Sequence, residues 1–150
     1  MKLAYMVATP EVGHSEITAI QGEPEETLAE VRATGYTGVE FLVRDPSVLD
    51  HGLIERAAAR SGLDVPAVCT GEVYGEDGLS FADPDAARRR LAVDRMLSAM
   101  ELAARFGAMV NVGRLRGRLV EEVPAEQTFE WIREALAECS RRFPDTPILI

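Results

Sequence analysis

Two arginines that follow a short apolar run are the residues of this chain best suited to bind an anion. They are Arg114 and Arg116, framed by two glycines in the segment GRLRG, residues 113–117. A guanidinium group binds phosphate or carboxylate through parallel N–H donors. The segment therefore predicts an anion contact. The alternative is an arginine pair that bridges to the acidic residues Glu121 and Glu122.

Acidic side chains form a second group that could do chemistry. Glu40 stands inside an apolar run, where it is either a structural acid, satisfied by backbone donors or an arginine, or a residue of a pocket. Glu72 belongs to an acidic stretch with Tyr74, Glu76 and Asp77, which could fold over a pocket as a lid or remain solvated. Glu40 and Glu72 are therefore candidates for contact with a bound molecule.

Cys69 and Thr70 end another apolar run. A small buried thiol is most often part of the packing, and a nucleophilic cysteine needs an adjacent base. The two histidines, His14 and His51, lie in predicted loops that are distant in sequence. Covalent catalysis is therefore not expected, and Cys69 and Thr70 are candidates for binding only.

The net charge and the lysine content of the chain each argue against one class of function. Acidic residues number 25 against 16 basic ones, which gives a formal net charge of −9. A nucleic-acid surface begins with a basic face, so no nucleic-acid partner is expected. Lys2 is the only lysine, and a Schiff-base enzyme such as a class I aldolase needs a lysine inside its pocket.

Neither a membrane segment nor a disulfide framework is predicted. The opening residues, MKLAYMVATP, form too short an apolar run to cross a bilayer and lack a signal-peptide cleavage pattern. Two cysteines, Cys69 and Cys139, are too few for a disulfide scaffold. We therefore expect free thiols and a soluble, cytoplasmic protein.

A repeated alternation of strands and helices must position these side chains. Short apolar runs predict strands, and apolar residues at i, i+3, i+4 and i+7 predict helices that end at glycines. The third helix should have Asp83 as its cap and Pro84 at its first position, and the fourth should bury Phe129, Ile132, Leu136 and Cys139. The predicted strands cover residues 3–8, 38–43, 65–70, 108–113 and 147–150, and the predicted helices cover residues 23–35, 51–62, 84–107 and 124–142.

This alternation predicts an α/β fold with parallel strands joined by right-handed crossovers. The turn after the first strand lacks the glycine-rich fingerprint of a dinucleotide-binding sheet, which favours a (β/α)8 TIM barrel. A barrel usually needs about 250 residues. The 150 residues supply four βα units and a fifth strand, so we predict a single domain that is an incomplete barrel, whose remaining units lie outside this chain.

Two longer segments resemble a known family. They are GYTGVEFLVRDP and AVCTGEVYGEDGLSFADPDAARRRLAVDRMLSAMELAARFGAMVNVGRLRG, and the sequence as a whole, from about residue 1 to 150, resembles the sugar phosphate isomerase/epimerase family with the xylose-isomerase-like barrel. The third loop, GEVYGEDGLSFADPD, and the GRLRG segment are the most specific parts. The resemblance implies the N-terminal part of such a barrel.

The resemblance also implies a reaction, a cofactor and a partner. Relatives epimerise a sugar or sugar phosphate by removing a proton beside a carbonyl, through an enediolate, with paired carboxylates and a divalent metal (Mn, Mg, Co or Zn). Their metal ligands come from a glutamate after the fifth strand, in a Glu-Pro-x-Asn-Arg-type motif, and from later strands. This chain ends at Ile150, so no metal ligand or catalytic residue is assigned to it, and we expect the isolated chain to be inactive.

The candidate substrate-binding residues lie at or near predicted strand ends, where barrel enzymes carry their sites. They are Glu40, Cys69, Thr70, Glu72, Arg114 and Arg116. Two other functions stay open. One is an endonuclease-type relative on the same barrel, and the other is a non-catalytic half-barrel that self-associates or complements a partner because its strand edges at residues 3–8 and 147–150 would be unpaired.

Overall fold

Five strands form one parallel sheet in the computed structural model, which describes residues 2–13 and 17–150. The strands are β1 Ala4–Ala8, β2 Gly38–Leu42, β3 Asp64–Cys69, β4 Met109–Asn111 and β5 Ile148–Leu149. The helices are α1 Pro24–Ala33, α2 His51–Ser61, α3 Gly71–Gly75, α4 Ala86–Phe106 and α5 Ala125–Arg142, and two 3₁₀ turns cover Pro46–Val48 and Gly113–Arg116.

The strand order distinguishes a barrel from a doubly wound sheet. The strands lie side by side in the order β1-β2-β3-β4-β5, and every pair is parallel. A doubly wound sheet reverses its order at a switch point, whereas a barrel adds each strand next to the previous one. Because right-handed crossovers between sequential neighbours place every helix on the same face, the predicted incomplete (β/α)8 barrel is confirmed.

The two faces of the sheet differ in burial. On the helix face, Val7, Val39, Phe41, Val68 and Val110 are almost fully buried. The other face, which we call the inner face, carries two rows of side chains that are in register across the strands. One row is Met6, Glu40, Ala67 and Met109, and the next is Ala8, Leu42, Cys69, Asn111 and Leu149.

Helix α4 supplies the largest apolar stripe against the sheet. Val93, Met96, Leu97, Met100 and Ala103 are buried, as their helical spacing predicts. The helix ends at Gly107, which takes the left-handed conformation. Within the described residues, no helix is long and apolar enough to cross a membrane.

The start of α4 differs from the prediction. Asp85, not Asp83, is the N-cap: its side chain accepts a hydrogen bond from the N–H of Ala87, and Pro84 lies before the helix. Asp83 accepts from the N–H of Asp85 and pairs with Arg88 instead. A second aspartate two residues later is thus the cap in place of the predicted Asp83.

Of the residues predicted to line the buried face of α5, Cys139 is buried and Ile132 and Leu136 are partly buried against the core, but Phe129 is not. Phe129 is 61% exposed, whereas Thr128, Ala135 and Cys139 are buried. At 100° per residue, these three lie on one stripe, and Phe129 lies roughly 100° from its centre. Phe129 therefore points away from the core, which α5 contacts through these three small side chains and through Ile132 and Leu136.

The outer edge of β1 is partly paired, contrary to the prediction that it is open. Ile20 donates its N–H to the carbonyl of Met6, and its own carbonyl accepts from the N–H of Ala8. The loop after β1 thus returns to cover this edge. Among residues 2–13 and 17–150, nothing pairs with the outer edge of β5, where Leu149 is exposed.

Candidate functional site

The carboxyl ends of the strands, which we call the carboxyl edge, border an open cavity of about 320 Å³. In barrel enzymes the functional groups lie at this edge, on the strand ends and the loops that follow them. The walls combine apolar and charged side chains: Met6, Ile17, Thr18, Leu42, Cys69, Gly71, Glu72, Gly113 and Arg114. We call this space the strand-end cavity. It brings together three of the predicted site residues, Cys69, Glu72 and Arg114.

Glu72 and Arg114 form an ion pair across this cavity. Nη2 of Arg114 lies 2.8 Å from Oε1 of Glu72. Glu72 is only 4% exposed, whereas Arg114 reaches into solvent. Gly75 makes room for the pair, because a Cβ on that residue would clash with the Glu72 carboxylate and lie 2.8 Å from Nη2 of Arg114. The pair that forms is therefore with Glu72, and not with Glu121 or Glu122.

The second oxygen of the Glu72 carboxylate is buried without a hydrogen-bond partner among the described residues. A buried carboxylate oxygen that lacks a partner costs free energy. Glu72 lines the strand-end cavity, and its contact with a bound molecule stays a prediction.

A second cavity of about 390 Å³ adjoins the first, since both are lined by Gly113 and Arg114. We call it the arginine cavity. Its remaining walls are Tyr74, Arg116, Gly117, Arg118 and Ile150. The predicted binding residue Arg116 therefore lies here, and Arg118, which the sequence analysis did not single out, lies beside it. The alternation of arginine with other residues over 114–118 was the sequence signal for Arg118.

Thr70 is fully buried, and its hydroxyl is already engaged. It donates to the carbonyl of Val112 at 2.9 Å, which ties the end of β3 to the end of β4. Thr9 ties β1 to β2 in the same way, through the carbonyl of Leu42 at 3.0 Å. These two hydroxyls hold the strand ends in place, and the assignment of Thr70 to substrate binding stays a prediction.

Cys69 lines the strand-end cavity, but its thiol is not activated. Burial raises the pKa of Cys69, and the negative charge of Glu40 raises it further. A raised pKa keeps the thiol protonated at neutral pH, so it is a poor nucleophile. The ring of His51 bonds to the carbonyl of Pro46, and His14 lies outside the described residues.

Glu40 lies on the inner face, one row below Cys69 and between Met6 and Ala67. The described residues provide no hydrogen bond or ion pair to its carboxylate, so neither backbone donors nor an arginine satisfy it. It does not line either cavity. Its part in substrate binding stays a prediction.

Asn111 is a polar residue of this edge that sequence analysis missed. It ends β4 on the inner face, next to Cys69 in the row of side chains. Within the described chain its side-chain amide has no hydrogen-bond partner, and the residue is half-buried. The sequence does contain a signal for Asn111, because it is the single polar residue of the apolar run MVNV. Glu40 was identified from the same kind of signal in its own strand.

An ion-pair network joins the strand-end loops to α4. Nη1 of Arg44, after β2, lies 2.9 Å from Oε2 of Glu76, and Nε of Arg44 lies 3.7 Å from Oδ1 of Asp77. Arg95 on α4 pairs with Asp45 and lies 3.5 Å from Oδ2 of Asp77. Burial lowers the pKa of Arg95, and repulsion from Arg44 lowers it further. The acidic stretch after β3 is therefore fastened to its neighbours.

The loop after β1 belongs to the same network. Oε1 of Glu11 accepts hydrogen bonds from the N–H groups of Arg44 and Asp45 at 3.1 and 3.2 Å. The N–H of Gly13 donates to Oε1 of Glu76 at 2.8 Å. Partners this far apart in sequence leave no local signal, which is why the network could not be predicted. It fixes three loops of the carboxyl edge relative to each other.

The described residues do not fit a metal ion. No group of three or more His, Cys, Asp or Glu side chains in this part of the chain has an arrangement that could hold one. The carboxylates near the carboxyl edge are instead paired with arginines, as Glu72 is with Arg114 and Glu76 is with Arg44.

A larger cavity, of about 550 Å³, lies at the opposite, amino edge of the sheet. Its walls include Gly62, Asp64 and the start of β3. The two other charged residues there, Glu55 and Arg105, pair with each other at 2.9 Å. Because barrel chemistry occurs at the carboxyl edge, this cavity is the weaker candidate despite its size.

Comparison with solved structures shows the same fold in larger proteins. The chain resembles 3-keto-D-glucoside 4-epimerase from E. coli (15% identity, TM-score 0.62), with 97% of this chain and 55% of that chain covered. It resembles an AP endonuclease, family 2, from Brucella melitensis (15%, 0.65), with 97% and 54% covered. It also resembles D-allulose 3-epimerase from Methylomonas sp. (13%, 0.67), with 98% and 49% covered.

The chain thus spans about half the length of these structures. No match was found among curated proteins. A family model described as a xylose isomerase-like TIM barrel matches residues 28–150, which is most of the sequence. Together with the sequential parallel sheet, this match shows that the chain belongs to the xylose isomerase-like TIM barrel family.

Proposed function

We propose that this chain forms the N-terminal half of the substrate pocket of a sugar isomerase or epimerase. The observation that carries the proposal is the strand-end cavity, where the buried Glu72 and its partner Arg114 face a space lined by strand ends. Two of the three structures described above are sugar epimerases by name, which supports the same reaction class.

The reaction removes a weakly acidic proton beside a carbonyl and returns it, through an enediolate. The divalent metal that belongs to this proposal would stabilise charge on the sugar oxygens. Its ligands would lie outside the described residues, which do not form a metal site. The paired carboxylates that move the proton are likewise not assigned to this chain.

The chain's own contribution would be to bind and orient the sugar. Glu72, which lines the strand-end cavity, would accept a hydrogen bond from a sugar hydroxyl, and the exposed N–H groups of Arg114 would donate to a sugar oxygen. The free amide of Asn111 would contact a further hydroxyl. Such contacts position the reacting carbon but do not transfer its proton.

We expect the isolated 150-residue chain to show no epimerase chemistry. D-Fructose incubated with the chain and Mn²⁺, Mg²⁺, Co²⁺ or Zn²⁺ in D₂O should gain no deuterium beside its carbonyl, as measured by NMR, beyond a protein-free control. The reason is that positioning alone does not supply the several kcal/mol of barrier lowering that proton transfer requires. Metal-dependent deuterium uptake that rises with protein concentration would contradict this division of roles.

A further inference from the structure

Arg116 and Arg118 are arginines without a partner that line the same cavity. Within the described residues, neither side chain makes an ion pair or a hydrogen bond. In this part of the chain Arg32 and Arg141 also lack a partner, but they lie in the last turns of helices and line neither the strand-end cavity nor the arginine cavity. Arg89 bonds to carbonyls and stacks on a tryptophan, and the remaining arginines are ion-paired.

The arginine cavity consequently carries a local positive charge in a protein of net charge −9. Glu72 neutralises Arg114, which leaves the two charges of Arg116 and Arg118 unbalanced. Tyr74 and Ile150 complete the wall of the cavity. Unbalanced charge at the rim of a cavity concentrates anions there.

The backbone that carries these arginines is anchored. Leu115, between them, is fully buried, and its carbonyl accepts a hydrogen bond from the N–H of Phe81 at 3.0 Å. Gly117 packs so closely on the segment Ser80–Ala82 that a Cβ there would lie 2.5 Å from Cβ of Ala82. The turn is therefore fixed before any ligand arrives, which lowers the entropic cost of binding.

We propose that the arginine cavity binds the phosphate group of a phosphorylated sugar through Arg116 and Arg118. Charge balance favours phosphate over carboxylate, because a phosphate monoester carries about −1.5 to −2 at pH 7 and a carboxylate only about −1. Arginine also matches phosphate geometry through paired N–H donors. The sugar part of this assignment rests on the function proposed above, while the phosphate part does not.

The shared wall of the two cavities fixes how such a ligand would lie. Gly113 and Arg114 line both, so a phosphate in the arginine cavity would place the attached sugar against the strand-end cavity. The chain would then prefer phosphorylated sugars to neutral ones. The preference would come from contacts with the phosphate, which lies at the end of the sugar that does not react. Binding energy at a remote group of this kind helps to orient the reacting carbon.

The test is a calorimetric titration of the 150-residue chain at low ionic strength, in a buffer without phosphate. The ligands are fructose 6-phosphate, inorganic phosphate, D-gluconate and D-fructose. The variant is Arg116→Gln/Arg118→Gln, and the control is Arg32→Gln/Arg141→Gln, which removes the same charge from two unpaired, exposed arginines far from the cavity. Both variants leave all described side-chain contacts intact, so both should fold.

We expect fructose 6-phosphate and inorganic phosphate to lose tenfold or more in affinity in the Arg116→Gln/Arg118→Gln variant and less than threefold in the control. Equal losses in both variants, no loss in either, or gluconate binding as tightly as fructose 6-phosphate would each overturn the proposal. Phosphate binding without any ketose binding would leave the phosphate site standing and refute the sugar pocket. If D-fructose bound as tightly as fructose 6-phosphate and inorganic phosphate did not bind, the phosphate site would be refuted and the sugar pocket would stand.

Discussion

Replacing Gly117 by alanine should lower the free energy of unfolding by about 3 kcal/mol or more. The added Cβ would lie 2.5 Å from Cβ of Ala82 and 2.8 Å from Oγ of Ser80, so the backbone of one segment must move. Gly117 also has φ of +85°, a conformation that costs an L-residue further free energy. The arginine turn should shift as a result, and phosphate binding should weaken together with stability. Urea unfolding followed by circular dichroism measures the first effect.

Gly35→Ala is the control for a positive φ without a packing clash. Gly35 has φ of +92°, close to that of Gly117, but no atom lies within 4 Å of the position that a Cβ would take. Only the cost of the positive φ should then lower the free energy of unfolding, by about 1 kcal/mol. A Gly117→Ala loss no larger than the Gly35→Ala loss would show that the close packing on Ser80 and Ala82 is not present in solution.

Replacing Arg95 by methionine should lower the free energy of unfolding by about 2 to 3 kcal/mol. The change removes the partner of Asp45, which is buried, and a contact of Asp77. We expect less than the full penalty of a deeply buried pair because Arg95 itself is about a quarter exposed. Amide hydrogen exchange in the stretch after β3 should also become faster, since the network fastens that stretch to its neighbours.

Arg105→Met provides the comparison for Arg95→Met on the same helix. Arg105 pairs with Glu55 on the protein surface, and such exposed pairs contribute about 0 to 1 kcal/mol. If the two variants lose the same stability, and hydrogen exchange after β3 is unchanged in Arg95→Met, the network does not hold the loops together.

The fold could be predicted from the sequence because its signals are local. Strand runs such as residues 65–70 and the apolar stripe of α4 depend only on neighbours a few positions away, and Gly62 and Gly107 end their helices as expected. Errors arose where two local signals competed. Asp83 and Asp85 both could cap α4, and Phe129 lay at the border of the buried stripe of α5.

The candidate site could be predicted only in part because its contacts are not local. Cys69, Glu72 and Arg114 were identified as residues at or just beyond strand ends, and they do meet at one cavity. The ion pair between Glu72 and Arg114 joins residues 42 positions apart, which no spacing rule could reveal. The network of Arg44 and Arg95 was missed for the same reason.

The return of Ile20 to the edge of β1 was also beyond sequence reasoning. Its hydrogen bonds with Met6 and Ala8 involve backbone groups, which any residue carries, so residue types give no signal. This contact leaves less of the β1 edge free for association with another half-barrel, because Ile20 already occupies part of that edge. Within the described residues, the outer edge of β5 is the one that remains open.

The proposed function requires a sugar to bind at the carboxyl edge of this sheet. A titration of the ¹⁵N-labelled chain with D-fructose, followed by amide chemical shifts, tests this requirement. We expect the largest shift changes on residues 69–72 and 111–114, around the strand-end cavity. Changes centred on residues 62–65, beside the cavity at the amino edge, or no saturable change anywhere, would contradict it.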